Sequence, residues 1–102
     1  MRKIAGGKIY DTAKAKVVAE WANHYYRNDI NYYEEILYRT AKGNWFIYRE
    51  GESKYKEPAG ADTGGGGEGI TPLTADEAYI WLEEHHRFKE IEEYFQDRLE
   101  EA

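Results

Sequence analysis

EEILYRTAKGNWFIYRE, residues 34–50, is the stretch whose reading decides the fold. Two runs of apolar, aromatic and β-branched residues flank Thr40–Gly43, and Gly43 can take the positive φ of a tight turn, so the stretch predicts an antiparallel hairpin. A register that sets Glu35 opposite Arg49, Leu37 opposite Ile47 and Tyr38 opposite Phe46 makes one opposite-charge pair and two apolar pairs together. It also divides the sheet. Ile36, Tyr38, Phe46 and Tyr48 take one face, which is expected to carry the helices. Leu37, Trp45 and Ile47 take the other, ringed by Glu35, Arg39 and Arg49. A Trp with Arg neighbours is a common interface anchor, so Trp45, Ile47, Arg39 and Arg49 are candidate partner-binding residues.

Upstream, KIAGGKIYD reads as a short strand pair turning at Gly6 and Gly7. Asp11 or Thr12 can cap a following helix in which Ala13, Val17 and Trp21 form one stripe with Val18, Ala22 and Tyr25 beside it, ending near Asn23 to Tyr26. HYYRNDIN is then a loop. Downstream, residues 51–69 are polar and glycine-rich, the composition of a flexible loop. In PLTADEA, Thr74 is an N-cap, Glu77 closes a capping box and Leu73 can staple onto Ala78. Ala78, Leu82, His85, Phe88, Ile91, Phe95 and Leu99 advance by three or four, predicting an acidic C-terminal helix over 74–101, with His85–Arg87 as the place for any break. The expected architecture is a single α+β domain over 1–102, a small antiparallel sheet packed against an N-terminal helix and a long C-terminal helix.

A chain of 102 residues with 41% hydrophobic residues and 16% aromatic ones has a modest core in which ten Tyr and three Trp bring polar tips. Without cysteine there is no disulfide framework and no thiolate metal site. No apolar run approaches a membrane span and the N-terminus lacks a signal-peptide core, so the expected setting is the cytoplasm, away from membranes. The net charge of −6 divides unevenly, +4 over residues 1–56 and −10 over residues 57–102. Such a split can steer a basic partner to the acidic end.

Chemistry finds little support. Ser53 is the one serine and lies among Glu52, Lys54 and Lys56 without a recognisable base. His85 and His86 project about 100° apart on a helix and cannot share an ion, and Glu83-x-x-His86 lacks the second pair that a carboxylate-bridged metal site requires. GGGGEG at 64–69 satisfies G-x-G-x-x-G, but it has neither a buried strand before it nor a helix straight after it. Neither a catalytic centre, a metal nor a cofactor is expected. Lys3, Lys8, Lys14, Lys16 and Arg27 with Tyr25 and Tyr26 offer charge and rings for a nucleic acid, the second reading.

GKIYDTAKA at 7–15, LYRTAKGNWFIY at 37–48, SKY at 53–55 and PLTADEAYIWLEEH at 72–85 resemble, in that order, a family of small proteins from phages and other bacterial mobile elements. The family pattern is G-K-x-Y-D-T, then L-Y-[RK]-T-x-x-G-x-[WF]-F, then P-L-[TS]-x-x-E-A-x-x-W-[LA]. Phe88–Ala102 departs from it in being longer and more acidic. The resemblance implies a phage-like accessory protein, of a class in which inhibitors of bacterial defence, anti-CRISPR proteins among them, are frequent; it implies no catalytic residues. The expected function is therefore a stoichiometric inhibitor that presents Glu83, Glu84, Glu90, Glu93, Asp97 and Glu101 as a phosphate-like row to a basic nucleic-acid-binding host protein or complex. The alternative is a small nucleic-acid- or nucleotide-binding module using the basic N-terminal half. A two-fold dimer through the long helix is a further expectation.

Overall fold

A computed structural model describes residues 1–51 and 67–102. Residues 52–66, which hold Ser53 and the first half of GGGGEG, lie outside the described residues. The fold is α+β: strands β1 (Arg2–Ala5), β2 (Lys8–Asp11), β3 (Lys16–Ala22), β4 (Tyr33–Arg39), β5 (Trp45–Gly51) and β6 (Gly67–Leu73) precede helices α1 (Ala75–Glu84) and α2 (Phe88–Phe95), with a 3₁₀ turn at Gln96–Arg98. β1 and β2 form a separate hairpin, and the other strands form an antiparallel sheet in the order β3-β4-β5-β6.

The central hairpin has the expected register, Glu35 opposite Arg49, Leu37 opposite Ile47 and Tyr38 opposite Phe46. Gly43 turns it at φ 88°. Gly51 is fixed by space instead: a Cβ there would lie 2.6 Å from the Cβ of Tyr33, its cross-strand partner.

Four expectations need correction. Residues 12–26 do not form a helix. The Asp11 carboxylate accepts from the Ala13 amide at 2.9 Å and its carbonyl from the Lys14 and Ala15 amides, an Asx turn that is complete before Val17. Val17 and Val18 then favour a strand. A bulge between Val17 and Ala19 disturbs the two-residue alternation, leaving an apolar spacing that imitates a helix. Second, Gly67–Gly69 and ITPL make β6, an edge strand that tolerates Pro72.

Third, the faces are exchanged. The helices cover the face bearing Leu37, Trp45 and Ile47, which with Ala19, Ala78, Trp81, Leu82, Ile91 and Phe95 form the larger core. The opposite face packs Tyr38, Phe46 and Ile70 under Tyr10 of the β1–β2 hairpin. Phe46 meets Tyr10 edge-on at 5.6 Å between centroids and stacks on Tyr38 at 4.9 Å.

Fourth, the helix expected over 74–101 is two helices, α1 and α2, and a 3₁₀ turn that ends at Arg98. Thr74 caps α1 through the capping box with Glu77. At the far end the Arg87 amide donates to the Leu82 carbonyl and the His86 amide to that of Glu83, a Schellman closure in which His86 takes φ 56°. The break turns α2 so that Ile91 and Phe95 re-enter the core.

Candidate functional site

The helical layer and the tail after it carry half of the chain's twenty acidic residues. Residues 75–102 hold ten carboxylates against Arg87, Lys89 and Arg98. Two of those cations are engaged within the fold. Arg87 donates to the carbonyls of Glu20 at 2.7 Å and His85 at 2.9 Å, and Arg98 pairs with Asp76 at 2.6 Å. Glu83, Glu84, Glu93, Asp97 and Glu101 of the expected row are exposed, as are Glu92 and Glu100, while Glu90 is half-buried. Lys16 approaches Glu93 at 3.8 Å with both side chains more than half exposed, a weak pair in water. The row is therefore bent at His85–Arg87 and divided, with Glu83 and Glu84 on α1, Glu90 and Glu93 on α2, Asp97 in the 3₁₀ turn and Glu101 beyond it.

Large apolar side chains stand among these carboxylates. Ile80, half exposed, shares a face of α1 with Glu83 and Glu84; Phe88, 57% exposed, opens α2 one turn before Glu92. Glu92, Gln96, Leu99, Glu100 and Glu101 line a hollow of about 380 Å³. An apolar anchor ringed by like charges is the composition of a surface that meets an oppositely charged partner.

Trp45 and Ile47 are not part of that surface. They are 5% and 2% exposed beneath α1 and α2, which removes them from the candidate interface. Their charged neighbours are absorbed by the same contact. Arg39 lies between the rings of Trp45 and Tyr94, 5.5 Å from each centroid. Arg49 Nε donates to Glu35 Oε2 at 2.6 Å, and Trp81 Nε1 donates to Glu35 Oε1 at 2.7 Å. His85 sits against Trp21 and Trp81, at 4.7 and 4.4 Å between centroids. Its Nε2 lies 3.9 Å from Glu35, within ion-pair range, yet burial outweighs that carboxylate and holds its pKa below the ordinary value. Neutral His85 thus packs as an aromatic ring. The charges that suggested an exposed patch form the polar seam of the sheet–helix interface.

A second acidic feature was illegible without β6. Glu34, Glu50 and Glu68 are direct neighbours across β4, β5 and β6. Burial, together with a hydrogen bond to Glu34, raises the pKa of Glu50. Arg27 offsets one end of the row at 3.5 Å from Glu34, and the Tyr48 hydroxyl donates to Glu68. Among the described residues no three His, Asp or Glu side chains are grouped to hold a metal ion.

The basic residues of the second reading do not all share one side. Lys3 Nζ donates to the Ile70 carbonyl at 3.1 Å, and Arg27 joins the acidic row. Lys14 and Lys16 instead meet Arg39. Tyr26 is 85% exposed, beside Arg27 in the β3–β4 connection. Among the described residues no helix is long and apolar enough to cross a membrane.

Comparison of the chain with protein-family models, curated proteins and solved structures found no match.

Proposed function

We propose that the protein is a stoichiometric binder, a phage-like inhibitor of a bacterial defence complex of the anti-CRISPR kind, that docks the outer surface of α1 and α2 onto a basic nucleic-acid-binding site of its partner. The observation that carries this reading is the helical layer itself: ten carboxylates, two of three local cations tied up internally, and Ile80, Phe88 and Leu99 exposed among the acids. Carboxylates so placed offer Lys and Arg side chains what a phosphate row offers, and the apolar residues supply contact area that a phosphate row lacks. The phage-like setting comes from the sequence resemblance. In this reading the protein performs no reaction; it occupies a surface.

The bend at His85–Arg87 gives the layer two short acidic segments in place of one straight row, which suits a concave basic groove better than a flat one. Tagged protein incubated with a bacterial lysate tests the reading, with nuclease treatment, a high-salt arm and a single-stranded oligonucleotide competitor in parallel. A basic nucleic-acid-binding complex that survives nuclease but is released by salt and by the competitor supports it. Capture that vanishes with nuclease, or that ignores the competitor, rejects it.

A further inference from the structure

The end of the sheet nearest the Thr40–Gly43 turn has the opposite character from the helical layer. The Asx turn at Asp11 delivers Lys14 and Lys16 to the start of β3, and the register sets Lys16 directly opposite Arg39. Like charges facing each other across a strand pair cost stability, a cost offset here by the Tyr94 ring, which lies 5.7 Å from Lys16 and 5.5 Å from Arg39. Lys14, Lys16, Arg39, Thr40, Glu93 and Tyr94 line a hollow of about 400 Å³. A second hollow of about 410 Å³ shares Thr40 and Ala41 with it and adds Lys8, Lys42 and Asn44. Five cations therefore border two adjoining depressions, against the carboxylate of Glu93.

Arg39 sharpens the case. Its Nε is buried without a hydrogen-bond partner, and its guanidinium is held between the Trp45 and Tyr94 rings. Among the described residues it makes no ion pair and no hydrogen bond. A guanidinium is always charged, with five donors in a planar fork that matches phosphate oxygens. The rings fix that fork in place before any ligand arrives, so little entropy is lost on binding. Glu93 occupies the hollow only weakly, since its 3.8 Å pair with Lys16 is solvent-exposed on both sides.

We infer that Lys14, Lys16 and Arg39 form a binding site for a phosphate group, extended by Lys8 and Lys42 to a neighbouring phosphate of the same ligand. The ligand is a phosphate ester, with two sources: a small phosphorylated molecule, or the backbone of a nucleic acid. This site adjoins the acidic helical layer, with Glu93 at the boundary of the two, and faces a ligand of opposite charge.

The test is a titration of ¹⁵N-labelled protein, followed by amide and Arg Nε–H shifts, with inorganic phosphate alone and with a single-stranded oligothymidylate. Phosphate is expected to move resonances around Lys14–Lys16 and Arg39–Ala41, with a dissociation constant of about 1 mM. Lys16→Gln, on an exposed side chain of an edge strand, should weaken binding roughly tenfold without loss of folding, one charged hydrogen bond being worth about that factor. Glu93→Gln should tighten binding, because it removes the competing carboxylate; a merely structural role for the cluster predicts no such gain. If Lys8→Gln together with Lys42→Gln weakens the oligonucleotide but not phosphate, the source is a nucleic-acid backbone. If those changes leave both probes unaffected, the extension to a second phosphate through Lys8 and Lys42 is overturned. Shifts scattered over Lys3 and Lys89 that Lys16→Gln and Glu93→Gln leave unchanged would overturn the site, as would the absence of any shift well above millimolar phosphate.

Discussion

Glu35 and Trp81 meet across the sheet–helix interface, the indole N–H donating to the carboxylate at 2.7 Å while Arg49 holds the other oxygen at 2.6 Å. The two ionic side chains are only 11% and 10% exposed. Removing one partner strands the other, so Glu35→Ala should cost about 3–5 kcal/mol in urea unfolding. Trp81→Phe leaves one carboxylate oxygen short of a donor and should cost about 1–3 kcal/mol, besides any loss of packing. Replacing the pair together, Glu35→Leu with Arg49→Met, should be far milder than Glu35→Ala, since no charge remains buried. A double variant as unstable as the sum of its singles would refute the coupling.

His85 makes stability depend on pH. Burial between Trp21 and Trp81 lowers its folded pKa from the ordinary 6.5, so the native state prefers the neutral ring. A lowered pKa gives stability that is complete above pH 6.5 and lost as pH falls through the folded value. The urea midpoint should decline between pH 7.5 and 5, and His85→Phe, which keeps a flat ring between the two tryptophans, should flatten that decline. An unchanged slope would place the titration elsewhere.

His86 pays a conformational cost at φ 56°, where glycine is the residue of least strain. His86→Gly should raise stability by up to about 1 kcal/mol while preserving the Schellman hydrogen bonds, detectable as a higher thermal midpoint. A lower midpoint would mean that the imidazole packing on Phe88, at 5.6 Å between centroids, outweighs the strain.

Glu50 stands between two like charges, Glu34 and Glu68. Burial and the Glu34 hydrogen bond raise its pKa, so protonation stabilises the fold below about pH 4.5 and that gain is lost as pH rises through the folded value. Glu50→Gln imitates the protonated form. It should add about 0.2–1 kcal/mol at pH 7 and little below pH 4.5. Equal gains at both pH values would argue against charge repulsion.

How much of this was legible follows element by element. The β4–β5 hairpin declared itself because its turn and its cross-strand pairs are local. The α1 cap did so because a capping box lies within four residues. β3 was hidden by its bulge, and β6 by two glycines and a proline that an edge strand accommodates. The face exchange has a different origin. Arg39, Glu35 and Arg49 look solvent-seeking in isolation, and only the indole of Trp81, 46 residues further on, and the rings of Trp45 and Tyr94 make them compatible with burial. The Lys16–Arg39 cluster depended on β3 and could not be assembled while that segment was read as a helix. Of the acidic candidates, residue type and exposure were readable from periodicity; the bend that divides them was readable only as the place, His85–Arg87, where a break could fall, because it rests on a histidine in a glycine-like conformation.

The central claim is that carboxylates on α1, α2 and the turn and tail that follow them hold a basic partner. Its most direct measurement is the affinity for the captured complex of the wild-type protein and of the variant Glu83→Lys, Glu84→Lys, Asp97→Lys, Glu101→Lys, all at exposed positions, with circular dichroism to confirm an unchanged fold. The account predicts at least a hundredfold loss, about 2.8 kcal/mol shared over four reversed contacts, and a matching loss of inhibition. Retained affinity and retained inhibition in the folded variant would contradict it.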